Sequence, residues 1–117
     1  MSKLAMKKSK GNIIDLDDFR DARAKVFTGR DRGMTVRKQS NLDNLEDNNK
    51  EIIIRIPTDI YSINPSFFEE LFVNVVRKLG REDFFKKVKF ESKGSFPYEK
   101  SLNDAVDRIL RNSTAID

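Results

Sequence analysis

Between Glu51 and Gly80 the chain runs through Ile52-Ile53-Ile54-Arg55-Ile56, then Pro57, a turn at Ser62-Ile63-Asn64-Pro65, and a long amphipathic segment opening at Ser66. The β-branched isoleucines favour an extended, buried strand, and the proline cannot continue it. Ser66-Phe67-Phe68-Glu69 reads as a capping box that starts a helix, and Gly80 stands where that helix stops. Inside it, Phe68, Leu71, Phe72, Val75, Val76 and Leu79 recur at three and four residues, forming one apolar stripe to lay against a sheet. Glu69, Glu70, Asn74, Arg77 and Lys78 take the other side, while Phe67 falls off the stripe and is expected to be exposed. A strand, turn and helix unit of this kind confines the chain to an α/β fold. The loop from a strand into a helix amino terminus is then the place where partners and anions are met.

The remaining elements are weaker. Residues 1–11 read as a basic flexible tail, with Lys3, Lys7, Lys8 and Lys10 and little to bury. Residues 12–26 predict a short amino-terminal helix, because Leu16, Phe19, Ala22 and Val26 keep helical spacing and Asp15, Asp17 and Asp18 suit its first turn. Gly29-Arg30-Asp31-Arg32-Gly33 breaks the pattern, Met34 to Arg37 restarts it as one or two helical turns, and Asn41 to Lys50, polar except for Leu42 and Leu45, reads as a linker with room for a single turn. Beyond Gly80 come a brief helix at Glu82 to Phe85, a second strand at Val88 to Glu91, a loop to Pro97 and a closing helix from Ser101 to Asn112. Strand, helix, strand, helix in this order predicts a parallel pair with helices packed on a short mixed or parallel sheet.

At 117 residues and 38% hydrophobic, the chain has material for one core, so one small domain is expected. It contains no Cys and no His, which removes disulfides, thiolate metal sites and the usual neutral-pH proton shuttle. No nucleophile and base pair can be named, so a non-enzymatic protein with neither cofactor nor metal is expected. Apolar runs are short and the basic start lacks a signal-peptide core, which predicts a cytoplasmic protein with no membrane span. The net charge of +4 is unevenly placed: residues 1–50 carry 12 Lys or Arg against 8 Asp or Glu, and residues 51–117 carry 11 of each. The folded part is therefore close to neutral, which weakens any case for nucleic acid drawn from a basic pI.

Two stretches carry candidate site chemistry. Asn64, Pro65, Ser66 and Phe67 form the turn before the long helix, with Ser66 read as a cap or, alternatively, as a phosphoacceptor at the positive end of the helix dipole. Arg30, Arg32 and Arg37, with Gly29 and Gly33, could cradle an anion such as phosphate, although the spacing is neither a Walker loop nor a dinucleotide fingerprint; otherwise they form a solvated turn.

Phe27-Thr28-Gly29-Arg30 with Gly33 and Arg37, the segment Ser62 to Phe68, and Leu79-Gly80-Arg81-Glu82-Asp83-Phe84 leading into Val88-Lys89-Phe90 together resemble the STAS-like domain family. These are small bacterial and phage relatives of the sulfate-transporter and anti-sigma-factor-antagonist fold. The likeness spans roughly residues 27–111, and residues 27–117 would form the STAS-like α/β domain. It implies a regulatory module whose turn and following helix, at 62–72, dock a partner protein. In classical anti-sigma-factor antagonists the loop reads Asp-Ser-Ser, and the middle Ser is phosphorylated by a histidine-kinase-like ATPase. Asn64, Pro65 and Ser66 stand at those positions, so proline replaces the acceptor. The partner implied is a protein, such as a histidine-kinase-like ATPase. The alternative is a phage or mobile-element protein acting on a nucleic acid or nucleoprotein through its basic residues, and a weaker third reading is nucleotide binding at Gly29 to Gly33. The residues leave oligomeric state open.

Overall fold

A computed structural model describes residues 12–20 and 24–116 of the chain. Its elements are β1 (Ile13–Asp15), a 3₁₀ turn (Leu16–Phe19), β2 (Val26–Phe27), α1 (Arg30–Ser40), α2 (Leu42–Asn48), β3 (Ile52–Ile56), β4 (Ser62–Ile63), α3 (Pro65–Lys87), β5 (Val88–Ser92) and α4 (Glu99–Ile116). Four helices pack with a three-stranded parallel sheet of order β1-β3-β5, and β2 pairs with β4 in a second, two-stranded parallel ribbon. The α/β class and the parallel sheet agree with the sequence pattern. The basic tail lies outside the described residues.

The central strand alternates rather than burying both faces. Ile52, Ile54 and Ile56 are fully buried, whereas Ile53 and Arg55 are partly exposed. In the register Asp15↔Arg55↔Glu91, the Arg55 guanidinium reaches Glu91 at 2.6 Å and Asp15 at 3.9 Å, so a row of opposite charges crosses all three strands on the less buried face. On the other face, Phe68 and Phe72 of α3 meet the ring of Phe90 at 6.2 and 5.8 Å, and Phe84 closes on Phe72 at 5.2 Å. The apolar stripe of α3 is buried as its spacing requires, with Phe68, Leu71, Phe72 and Val76 inaccessible. At Gly80 the helix breaks (φ 83°, ψ 171°), a backbone conformation glycine adopts without a Cβ penalty, and it resumes to Lys87.

Three expectations need correction. The described residues of the helix expected over 12–26 are not helical in that way: Ile13 and Ile14 enter the sheet beside β3, and Asp15 caps a 3₁₀ turn by accepting from the Asp17 N–H at 3.0 Å, while residues 21–23 lie outside the described residues. The acidic residues that suit a helix start suit this shorter turn equally, and sheet pairing of the two isoleucines decides the outcome. Gly29 to Gly33 is not an open loop, because α1 begins at Arg30 directly after Gly29. In the linker over 41–50 the single turn allowed for is a seven-residue helix, α2, whose buried face carries Leu42 and Glu46. Glu46 is 3% exposed and takes Lys78 and Lys87 at 2.7 Å each, with Asp47 also on Lys78. That pairing partner lies some thirty residues away, so local composition could not reveal it.

α3 packs against both α1 and α4. The crossing with α1 is so close that a Cβ on Gly33 would stand 2.4 Å from the Phe67 carbonyl oxygen and 3.0 Å from the Glu70 Cβ. Gly33→Ala tests this contact. Helix propensity alone would favour alanine by about 1 kcal/mol, yet the obstacle is backbone and cannot swing aside. A net loss of about 1–3 kcal/mol by urea denaturation is expected, and a stabilised variant would show that the two helices stand further apart.

Candidate functional site

The β2/β4 ribbon joins the two stretches singled out in the sequence. Val26 pairs with Ser62 and Phe27 with Ile63, while the Tyr61 N–H donates to the Lys25 carbonyl at 3.0 Å and the Asn64 N–H to the Phe27 carbonyl at 2.8 Å. Because only Thr28 and Gly29 separate β2 from α1, this stitching sets the first turn of α1 beside the first turn of α3. Arg30 and the turn at Asn64 to Ser66 therefore belong to one surface.

At the start of α3 the cap is Asn64 and not Ser66. Asn64 has extended backbone (φ −76°, ψ 141°), and its Oδ1 accepts from the Ser66 N–H at 2.9 Å and from the Ser66 hydroxyl at 2.8 Å. Pro65 takes the first helical position, where its lack of an N–H costs nothing. The Phe67 N–H donates to the Asn64 carbonyl at 2.9 Å, so the amide donors expected to face a ligand here are used by the chain itself. The capping box fails because Glu69 turns inward and is only 6% exposed. Phe67, expected on the surface, is inaccessible and sits 5.0 Å from the Phe27 ring; the second apolar face that buries it is made by β2 and α1, which the α3 periodicity does not report. It cannot be a docking anchor. Asn64 is exposed, and Pro65 and Ser66 are partly exposed.

The three arginines are placed differently from one another. Arg37 is largely buried, donates to the Glu70 carbonyl and lies 3.5 Å from the Glu70 carboxylate. Arg32 donates to the Phe19 carbonyl at 3.3 Å. Arg30, with its side chain 56% exposed, lies 3.5 Å from Glu69 and 3.7 Å from Glu70. They do not converge on one anion cradle. A groove of about 670 Å³ opens beside them, lined among others by Arg20, Val26, Phe27, Gly29 and Arg30. Arg20 in its wall is engaged by Asp17 and Asp59, both at 2.8 Å.

Three residues of this surface were not foreseen. Tyr61 is 69% exposed, the exposed large hydrophobic residue among those described; its one sequence signal is that it belongs to neither the strand alternation nor the helix stripe. Glu69 lies between Arg30 and, at 3.8 Å, Arg108 of α4. Nothing local could have linked Arg108 to this place, since tertiary packing alone brings α4 here. Among the described residues no group of three Asp or Glu side chains could hold a metal ion, and no helix is long and apolar enough to cross a membrane.

Away from this surface, the Glu46 cluster has a measurable electrostatic consequence. Burial by itself would raise the Glu46 carboxyl, but hydrogen bonds from Lys78 and Lys87 outweigh it and hold the group below its ordinary value. Asp47 and Glu46 in turn push the Lys78 ammonium up. A carboxyl depressed on folding stabilises the native state above its unfolded pKa, about 4.3, and loses that contribution as pH falls through the folded value. Stability should therefore decline below about pH 4.5, and Glu46→Gln should flatten part of that decline while lowering stability at pH 7. An unchanged acid limb in Glu46→Gln would show that the pair does not hold α2 to α3.

Phe67→Ala and Tyr61→Ala separate core from surface. The first should cost about 3–5 kcal/mol by denaturant unfolding, and the second less than about 0.5 kcal/mol; a tolerated Phe67→Ala would contradict the burial described. No protein-family model, curated protein or solved structure matches the chain, so the functional reading rests on this surface and on the sequence resemblance.

Proposed function

We propose that the chain is a non-enzymatic regulatory module that docks a partner protein on the surface formed by Tyr61, Asn64, Pro65 and Ser66 together with the start of α1. The observation that carries this reading is Tyr61: a large aromatic side chain 69% exposed on a segment held by the β2/β4 ribbon. A tyrosine exposed to this extent on a segment tied down by backbone hydrogen bonds has the character of an interface hot spot. The resemblance to STAS-like domains is a second support, since in that family the loop before the corresponding helix meets the partner, and a histidine-kinase-like ATPase is the class it suggests. With proline at the acceptor position, docking and not phosphate transfer is the role proposed. The nucleic-acid alternative has less behind it, because Arg37 is spent on Glu70 and Arg30 is shared between Glu69 and Glu70.

A photoreactive phenylalanine analogue placed at Tyr61 tests the reading in the cells that produce the chain. The control site is Lys100 on α4, whose side chain is 86% exposed. A protein adduct from position 61 that is absent from position 100 is expected. Tyr61→Ala should then weaken calorimetric binding of the identified partner about tenfold. Absence of an adduct at position 61, or an adduct with nucleic acid in place of protein, would overturn the proposal.

A further inference from the structure

Among the described residues, Glu69 is the buried charged side chain that keeps an oxygen without a hydrogen-bond partner. Its side chain is 8% exposed, yet its Oε1 accepts no hydrogen bond, and two guanidiniums stand over that oxygen from separate helices: Arg30 Nη2 of α1 at 3.5 Å and Arg108 Nη1 of α4 at 3.8 Å. Charge-assisted hydrogen bonds between such groups ordinarily close to about 2.7–2.9 Å. Both arginines stop short of that and keep about half of each side chain in solvent, 56% and 46% exposed. A shared buried oxygen thus holds two forked donors close enough for a single oxyanion to bridge them from the solvent side.

Charge decides which oxyanion. Arg30, Arg37 and Arg108 face Glu69 and Glu70, three cations against two carboxylates, leaving a local excess of one positive charge. A monoanionic carboxylate neutralises that excess. A phosphate monoester, close to a dianion at neutral pH, would overshoot it next to two fixed carboxylates. A nucleic-acid backbone would bring a run of phosphates, one negative charge each, against that single excess charge.

We propose that Arg30 and Arg108, positioned by Glu69, clamp an Asp or Glu side chain of the docking partner. This rests on the docking reading above and adds the chemistry of the partner: an acidic residue placed to reach the clamp while its neighbours cover Tyr61.

The arginine Nε–H signals of the ¹⁵N-labelled full chain report on the clamp directly. The probes are a capped Gly-Glu-Asp-Glu-Gly peptide, its Gly-Gln-Asn-Gln-Gly counterpart and inorganic phosphate, all at low ionic strength. The acidic peptide should shift the Arg30 and Arg108 signals saturably, and the amide peptide should not. Arg30→Gln and Arg108→Gln should each weaken the acidic peptide about threefold to fivefold, with the backbone spectrum otherwise retained. Arg77→Gln, which removes the same charge from an exposed position of α3, should leave its affinity unchanged. Equal shifts from both peptides, equal weakening by Arg77→Gln, or tighter binding of phosphate than of the acidic peptide would each overturn the clamp. The two proposals fail separately: a Tyr61 adduct whose affinity is unaltered in Arg108→Gln removes the clamp alone, and loss of the adduct with a saturable acidic-peptide response removes the docking reading alone.

Discussion

The close crossing of α1 over α3 at Gly33 governs most of what lies on the surface. A residue with a Cβ at that point would collide with the backbone of Phe67, so glycine lets the two helices approach until main chain faces main chain. That approach seals Phe67 against Phe27 and sets Arg37 on Glu70 and Arg30 beside Glu69. It also fixes how the β2/β4 ribbon sits, because β2 runs into α1 and β4 into α3 with only short connections. Core and surface are thus joined at one contact: the same approach that hides an aromatic ring delivers arginines to the rim.

What could be read from the chain alone divides along the range of the interactions involved. The stripe on α3 and the alternation in β5 are local patterns, and local patterns report faithfully which face is buried. Val88 is buried and Lys89 exposed in the strand that spacing places there. The failures have a common cause. Ile13 and Ile14 become strand because β3 offers an edge, α2 forms because Lys78 and Lys87 reach Glu46, and Phe67 is buried because α1 covers it. Each outcome is decided by a segment distant in sequence. The candidate turn at Asn64 to Ser66 was legible because proline and a capping side chain are local signals, but the cap fell two residues earlier than the box motif suggests, since Asn64 can reach the Ser66 N–H while Glu69 faces inward.

Two buried carboxylates, Glu46 and Glu69, show how differently burial can be met. Glu46 is surrounded by short contacts, with both carboxylate oxygens taking lysine ammonium groups at 2.7 Å and its own carbonyl taking Lys87 at 2.6 Å. That arrangement is saturated and ties α2 to α3. Glu69 is nearly as inaccessible, but its partners are arginines at longer range and half in solvent. A saturated cluster resists change because any movement leaves an unpaired buried charge. An unsaturated one leaves an acceptor oxygen unmet, and it lies on the opening turns of α3, just past the Asn64 cap.

The row of charges across the sheet carries a consequence of its own. Parallel sheets are ordinarily covered on both faces, and their strands then read as unbroken apolar runs that tolerate sliding. Here the central strand carries Arg55 after three isoleucines and before a fourth, paired on one side with Glu91 and on the other with Asp15. Because strand side chains alternate faces, a slip of β3 by one residue would drive that guanidinium into the phenylalanine core and strip it of both carboxylates. A strand that is otherwise almost self-similar, isoleucine upon isoleucine, is thereby given a single alignment, and the short edge strands on either side inherit it.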